Sequence, residues 1–446
     1  MIGWPQWLAW LCAGYFIALH FGMLVLFLGC IPSLWRMMRT HAHGSLPQFY
    51  SGLEPPISVI VPASGLPDAM VARVQSLQHL IYAEYELVVV VESSAESTLQ
   101  RLVQEFHLVP TNERFTHPLP SPSVRGVFRS TVHAALRVVE VEPAALPSEL
   151  NAGLNHARFP LACIVKADLI LRQDSLHRAV EPFLPEGSVI ASVSPIGVAN
   201  NCDLKEGFLH QVRLPRHPLP LAQVVENLRG AVFGRLGWNT PNAVLLTAPA
   251  FGLLDRRALI EIGGFRADTQ DELADVVARL HCTMRRRGTR YRIVFDPEAV
   301  VARLAPTALF PSLRERARWQ HGLLQSLRGN LGLLHPRCGV VGGLAFPFVT
   351  MFAGLLPLAE VGTYLALIML WALTLLDAPM LGSVLLIVIG LGIIVSATAV
   401  AMEGVVLHLY RRPRHVAALL VVAVVEQFGF RQLCAVARLA GFVLRR

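Results

Sequence analysis

The chain has 446 residues, of which 53% are hydrophobic and only 16% charged, with a formal net charge of +8 at pH 7. An ordinary soluble domain carries roughly 25% charged residues, so a mean hydropathy of +0.49 excludes both a simple soluble protein and a disordered one. Lys166 and Lys205 are the only lysines, so the positive charge is nearly all arginine. No basic run is interleaved with aromatic residues on a polar surface, which argues against nucleic acid as a partner. The excess reads instead as loop charge beside anionic lipid. The seven cysteines include no CxxC pair and read as reduced thiols rather than a zinc site or a disulfide framework.

In chain order, the first apolar segment runs from Trp7 to Pro32 and is long enough to span a bilayer. It has no basic start, which a cleaved leader would show. Arg36, Arg39, His41 and His43 follow it. The positive-inside rule then places the N-terminus outside and the next domain in the cytoplasm. His41 and His43 alone do not make a metal site.

From about Gln48 to Leu334 the composition is that of a globular α/β domain. Ile57–Pro62, Glu86–Val91, Val189–Val193 and Tyr291–Phe295 are near-continuous apolar runs, the pattern of strands in a sheet covered on both faces. Apolar residues at helical spacing over Asp68–Leu80 make a βαβ start. That predicts a doubly wound sheet with its ligand beyond the carboxyl ends of the strands.

Beyond Leu334 the chain is apolar again. Gly339–Leu376 holds one charge, Glu360, and is broken by Pro347 and Pro357. It reads as one kinked span plus an interfacial piece, with Glu360 at a turn on the membrane edge. Met380–Met402 is uncharged and reads as a clean span. Val416–Val425 is too short to span alone; it lies in the interface or extends through Glu426, Gln427 and Phe428. The loop Arg411–Arg414 is expected in the cytoplasm. Four segments result: a membrane helix with a basic juxtamembrane stretch (1–47), the α/β domain (48–311), an amphipathic Arg-rich stretch (312–337), and C-terminal membrane or interfacial helices (338–446).

This order of features resembles the membrane-bound family 2 glycosyltransferases, the group that includes cellulose, chitin and hyaluronan synthases. Pro55–Ala63 resembles the family's first strand. Leu150-Asn151-Ala152-Gly153-Leu154-Asn155 is similar to its ALNAGL segment. Ala250-Phe251-Gly252, Asp255–Leu259 and Ile262-Gly263-Gly264-Phe265 resemble its acceptor-side strand and helix. Arg318-Trp319 is similar to the end of its QxxRW motif. The resemblance implies a GT-A-like, Rossmann-like cytosolic domain flanked by transmembrane helices, in an integral inner or plasma membrane protein whose main domain is cytoplasmic. It also implies transfer of a hexosyl group from a nucleotide-diphosphate sugar to a glycan or lipid acceptor. In that chemistry a divalent ion held by carboxylates neutralises the diphosphate, and an acid takes the acceptor proton.

The chain departs from the family at almost every one of these positions, while Arg318 and Trp319 persist. The nucleotide-reading Asp falls on Glu92, and the Lys before ALNAGL on Leu146. The metal-binding DxD falls on Lys166-Ala167-Asp168, which leaves Asp168 as the one metal carboxylate. Lys166 and Asp168 are then expected at the diphosphate, with weak dependence on Mg²⁺ or Mn²⁺, because Lys166 supplies a point charge where the first carboxylate would stand. In the TED segment the preferred register puts the catalytic Asp on Leu273, beside Asp271, Glu272 and Asp275 as candidate acids. Acids in a helix's first turn also favour the macrodipole without any chemistry, so both readings of this turn stand. The QxxRW position reads Glu315-Arg316-Ala317-Arg318-Trp319. Arg318 and Trp319 are expected at the nucleotide sugar, with interfacial anchoring as the alternative.

Two functions follow. One is an inverting hexosyltransferase acting at the cytoplasmic face. The other is a catalytically silent relative that serves as scaffold or partner for an active synthase. A transporter is a weaker third reading, because paired broken helices and repeat symmetry are missing. Membrane lipids are expected contacts in each case.

Overall fold

A computed structural model describes residues 3–42, 54–111, 118–184, 187–298, 301–403, 409–410 and 412–443, with the backbone alone for 33–34 and 36–42. His43, the domain start near residue 48, and Arg411 lie outside the described residues. The chain forms two compact units. One comprises residues 43–212 and 249–304, the other 1–42, 213–248 and 305–446.

The first unit is built on an eleven-stranded sheet. Its strands are β1 (Ile57–Pro62), β2 (Tyr85–Glu92), β3 (Leu108–Pro110), β4 (Val124–Ser130), β5 (Leu136–Val141), β6 (Leu161–Ile164), β7 (Ile170–Leu171), β8 (Val189–Val198), then a separate hairpin of β9 (Asp203–Lys205) and β10 (Phe208–Gln211), and finally β11 (Ala250–Asp255), β12 (Arg292–Phe295) and β13 (Val301–Arg303). The order is β3-β4-β5-β2-β1-β6-β11-β8-β13-β7, with β12 also paired to β8. The centre is parallel: β1 pairs with β2 from Ile57↔Tyr85 to Pro62↔Val90 and with β6 on its other side, and β2 pairs with β5. Every residue of β1 is buried, and β2 is exposed only at its ends. Helices therefore cover both faces, as the unbroken apolar runs require.

The expected doubly wound sheet holds at this centre and changes beyond it. β11 runs antiparallel to both β6 and β8, and β4 antiparallel to β5. A strand buried on both faces has the same apolar run in either direction, so strand direction is not visible in composition.

The motifs that carry the family resemblance first serve this packing. Gly153 lies in the helix Leu146–His156, where a Cβ would stand 2.6 Å from Ile60 Cγ2 and 3.0 Å from Val90 Cγ2. Asn151 Nδ2 donates to the carbonyls of Phe265 at 2.9 Å and Pro120 at 3.0 Å, and its Oδ1 accepts from Phe265 N–H at 2.8 Å. This side chain ties the helix to the Gly263-Gly264-Phe265 turn. Gly264 has φ +71°, and a Cβ there would meet Asn151 Oδ1 at 2.4 Å. Gly264→Ala combines a left-handed backbone with a broken buried hydrogen bond. It is expected to cost about 2–4 kcal/mol, measured as a fall in denaturation midpoint of the purified protein.

The second unit is helical. Its helices are Trp4–Ala42, Pro218–Val232, Leu309–Gly329, a segment Val341–Gly354 that alternates π- and α-type turns, Leu356–Ala372, Ala378–Met402, Pro413–Val425 and Phe430–Val443. Among the described residues, two helices are long and apolar enough to cross a membrane, Trp4–Pro32 and Ala378–Met402. The bent pairs Val341–Gly354 with Leu356–Ala372 (45°) and Pro413–Val425 with Phe430–Val443 (65°) raise the number to four if each pair is one span.

Polar groups inside this unit are joined between helices. Arg229 Nη1 meets Glu426 at 2.5 Å and Ser396 Oγ at 2.6 Å. Arg431 Nε meets Glu360 at 2.9 Å. Glu226 receives both Arg316 at 2.8 Å and Arg438 at 3.0 Å. Burial alone would raise the Glu226 carboxyl, but Arg316, Arg438 and Arg229 hold it down at about 2. Glu360 is 4% exposed. It is a buried ion-pair member, not the residue of a turn at the membrane edge. Its arginine lies 71 positions away, and a charge inside an apolar bundle persists only with such a partner.

Candidate active site

Four parallel strands, β1, β2, β5 and β6, end on one edge of the sheet, and a cavity of about 710 Å³ opens there. Its wall includes Ser64 and Gly65 after β1, Glu92 at the end of β2, Ala144 and Leu146 after β5, Glu149 in the next helix, and Lys166 and Asp168 after β6. The sequence reading placed Glu92, Lys166 and Asp168 at a nucleotide sugar, and the fold brings these three to one cavity. It stands at the carboxyl edge where open α/β sheets bind ligands.

Lys166 is fixed on two sides. Its carbonyl accepts from Arg73 Nη2 at 2.9 Å, and its Nζ donates to Glu272 Oε2 at 2.7 Å. Asp168 is the more open residue, 59% exposed, with Arg303 Nη1 at 3.9 Å. Arg73 also feels Asp168, although burial is the larger influence and lowers its affinity for its proton. The loop at the DxD position therefore holds one lysine with Arg73 and Arg303 alongside it, against Asp168 and Glu272.

This donor set does not fit a divalent ion. Mg²⁺ at a diphosphate takes one or two free carboxylates, with phosphate oxygens and waters completing its shell. Here an ammonium stands at the first carboxylate position and engages Glu272, while Asp168 faces a guanidinium. Among the described residues no group of three His, Cys, Asp or Glu side chains could hold a metal.

The three acids of the TED segment separate in role. Asp271 caps the helix Glu272–Arg287 by accepting from Ala274 N–H at 3.2 Å. Asp275 is 1% exposed and meets Arg279 at 2.7 Å and Arg266 at 3.7 Å. Arg279 continues to the carbonyls of Ile262 and Gly264 at 2.7 and 2.5 Å, so Asp275 supports the glycine turn. Glu272, whose side chain is 8% exposed, is the acid that meets the cavity's lysine. Leu273 lies against the sheet, its Cδ1 only 2.9 Å from where a Cβ on Gly252 would stand.

Arg318 and Trp319 stand in the helical unit on Leu309–Gly329. Arg318 is exposed and Trp319 half-buried. Trp319 lines a cavity of about 190 Å³ within that unit, together with Arg229, Glu360, Glu426 and Arg431. The buried arginine of this motif is Arg316, at 1% exposure. Sequence reasoning gave neither Arg316 nor Glu149 a place in the site. Arg316 gave no signal, because its partner Glu226 lies 90 positions away. Glu149 did give one, a carboxylate on the apolar face of a buried helix at the first position of ALNAGL.

The family model described as glycosyltransferase like family 2 matches residues 55–322. Comparison with curated protein sequences finds no match. Among solved structures, a mannosyltransferase from Pyrobaculum calidifontis in complex with GDP-Man and Mn²⁺ is 18% identical, covering 94% of this chain and 99% of that one, with a TM-score of 0.47. TarS 1–349 from S. aureus is 12% identical over 84% of this chain and 91% of its own, with a TM-score of 0.40. A glucosyl-3-phosphoglycerate synthase from Mycobacterium tuberculosis, solved with Mn²⁺, UDP and glucosyl-3-phosphoglycerate, is 16% identical over 64% and 80%, with a TM-score of 0.34.

Proposed function

The chain belongs to the glycosyltransferase like family 2, and from that premise we propose that it binds a nucleotide-diphosphate sugar in the β1-β2-β5-β6 cavity and transfers the sugar without a structural divalent ion. The observation that carries this reading is the Lys166–Glu272 contact of 2.7 Å. It puts a cation where the family holds its metal and an acid within reach of that cation. Lys166 is a point charge for the diphosphate. Glu92 reads the ribose or base. In transfer, an acceptor hydroxyl attacks the anomeric carbon in line and its proton passes to the Glu272 carboxylate. The bond from that carbon to the diphosphate oxygen breaks, and the leaving diphosphate takes the electron pair. Lys166, drawn from Glu272 to the diphosphate, offsets the new charge.

The acceptor class is a glycan or a lipid. Trp319, opening on a mainly apolar cavity that also holds Arg229, Glu360 and Arg431, supports an acceptor with both sugar-like and apolar character. The apolar helices support insertion in the plasma or inner membrane, in contact with its lipids, with residues 48–334 in the cytoplasm. Counting each bent pair as one span leaves two crossings between the domain and Arg412, which keeps both on one side. Labelling of an engineered cysteine beside Arg412 in intact cells tests this: no labelling from outside is expected, and labelling contradicts it.

Transfer from UDP- and GDP-sugars, measured in lipid nanodiscs, tests the reaction. Glu272→Gln is expected to lower the rate by about 10²–10⁴ while nucleotide binding persists. The second reading, a silent partner of an active synthase, is favoured by Leu273 in the base register and by the commitment of Asp271 and Asp275 to structure. Nucleotide binding without turnover by the unmodified protein selects it.

A further inference from the structure

Glu149 has no counterpart in the family motif, where an alanine precedes Leu150. Its side chain is buried, at 7% exposure, yet it lines the same cavity as Lys166 and Asp168. Glu92 lines the same wall, and the two carboxyls act on each other there. Two carboxylates set against each other in one wall are costly to ionise together, so one of them keeps its proton. The surroundings decide which. Glu92 also accepts from Ser94 Oγ at 2.8 Å and from the Ala144 backbone N–H, contacts that favour its charged form. Glu149 is the buried partner. Glu149 first, then the Ser94 contact, hold Glu92 below the usual carboxylate range. Burial, and then Glu92, push the Glu149 carboxyl up to about 8.

We propose that Glu149 is a positioning residue of the nucleotide site, a neutral carboxylic acid whose proton orients Glu92 toward the ribose or base and spares the cavity a further negative charge. This rests on the nucleotide-binding reading above. Among the described residues, few charged groups share the cavity wall with Glu149. Glu92 comes from the end of β2, and Lys166 and Asp168 from the loop after β6. The β1 end contributes Ser64 and Gly65, the β5 end Ala144 and Leu146, and the neighbouring helix Thr98, none of them charged. With a cation instead of a divalent ion at the diphosphate, one added negative charge in this wall matters more than it would beside a metal.

The sign follows from the raised carboxyl. Below about pH 8 Glu149 keeps its proton and binding is unimpaired; as pH rises through that value the proton is lost and the anionic nucleotide is repelled. Equilibrium binding of UDP and GDP to the full-length protein, between about pH 6 and about pH 9, reads this out. Wild-type affinity is expected to hold to about pH 8 and then fall by up to about tenfold per pH unit, while Glu149→Gln, which keeps the donor and cannot ionise, stays flat. The same fall in Glu149→Gln, or none in the wild type, overturns the proposal. Glu92→Gln gives an independent reading: the midpoint of the fall moves to lower pH as the partner charge is removed, and an unmoved midpoint overturns the proposal. Absence of any nucleotide binding at every pH refutes the underlying function itself, a result distinct from binding that ignores pH.

Discussion

Removing the carboxylate of Glu86 is expected to cost about 3–5 kcal/mol, the loss of breaking a buried ion pair by removing one partner. Glu86 is 5% exposed and gathers hydrogen bonds from three residues at the base of the central strands. Ser58 Oγ donates to it at 2.7 Å, the Arg158 backbone N–H at 2.6 Å, and Arg137 Nη1 at 3.3 Å. Arg256 also feels its charge, though burial is the larger influence there. Arg137 is itself 3% exposed and reaches the His156 carbonyl at 2.7 Å. In Glu86→Ala that guanidinium stays buried without its counter-charge, which is the costly half of a buried pair. Replacing both members, Glu86→Gln with Arg137→Met, removes the charge along with its partner and is expected to cost much less. Denaturant midpoints of the single and double variants check this; a single variant within about 1 kcal/mol of wild type contradicts it.

Lys166→Ala is expected to weaken UDP or GDP binding by about 10–100-fold, the worth of one charge-assisted contact to phosphate. The loss comes from the ammonium and not from the fold, because the Lys166 side chain is 39% exposed and, among the described residues, its ion-pair partner is Glu272. Lys166→Asp goes further. It restores the missing carboxylate of the DxD position beside Asp168, so nucleotide binding is expected to return only when Mn²⁺ or Mg²⁺ is added. Titrations with and without the ion separate the two variants. Equal metal response in wild type and Lys166→Asp contradicts the role given to Lys166.

The legible parts of this protein are those with a local signature. β1 begins and ends where the run Ile57–Pro62 does, and the helix Pro67–Leu77 falls within the amphipathic stretch read as Asp68–Leu80, save for Pro67 at its start. Glu92, Lys166 and Asp168 are placed together by the family resemblance, and the fold sets Glu92 at the end of β2 and the other two just after β6, on the edge where parallel strands end. What stayed hidden is long-range. Lys166 and Glu272 are 106 positions apart, and Arg431 and Glu360 are 71 apart. No periodicity links such pairs. The antiparallel course of β11 was hidden for another reason: a strand sealed on both faces carries no trace of its direction. The register of the TED segment could not be settled from charge, since three acids crowd one turn. Packing settles where each one stands, with Asp271 at the cap, Asp275 under Arg279 and Leu273 on Gly252.

The Glu149–Glu92 pair also couples folding to pH. The unfolded chain ionises Glu149 near the ordinary Glu value, about 4.3, whereas the folded chain keeps the proton to about 8. Stability from this group therefore falls as pH rises between those two values and levels off above them. Glu149→Gln should melt progressively higher than wild type over that interval. A constant difference in melting temperature from about pH 5 to about pH 8 contradicts it.

The most direct test of the central claim is calorimetric titration of the purified full-length protein with UDP, GDP and their sugars, once in EDTA and once in Mn²⁺. Binding in EDTA, with affinity changed by less than about threefold on adding Mn²⁺, is the result that a lysine in the metal's place predicts. Binding that appears only with Mn²⁺ would contradict it.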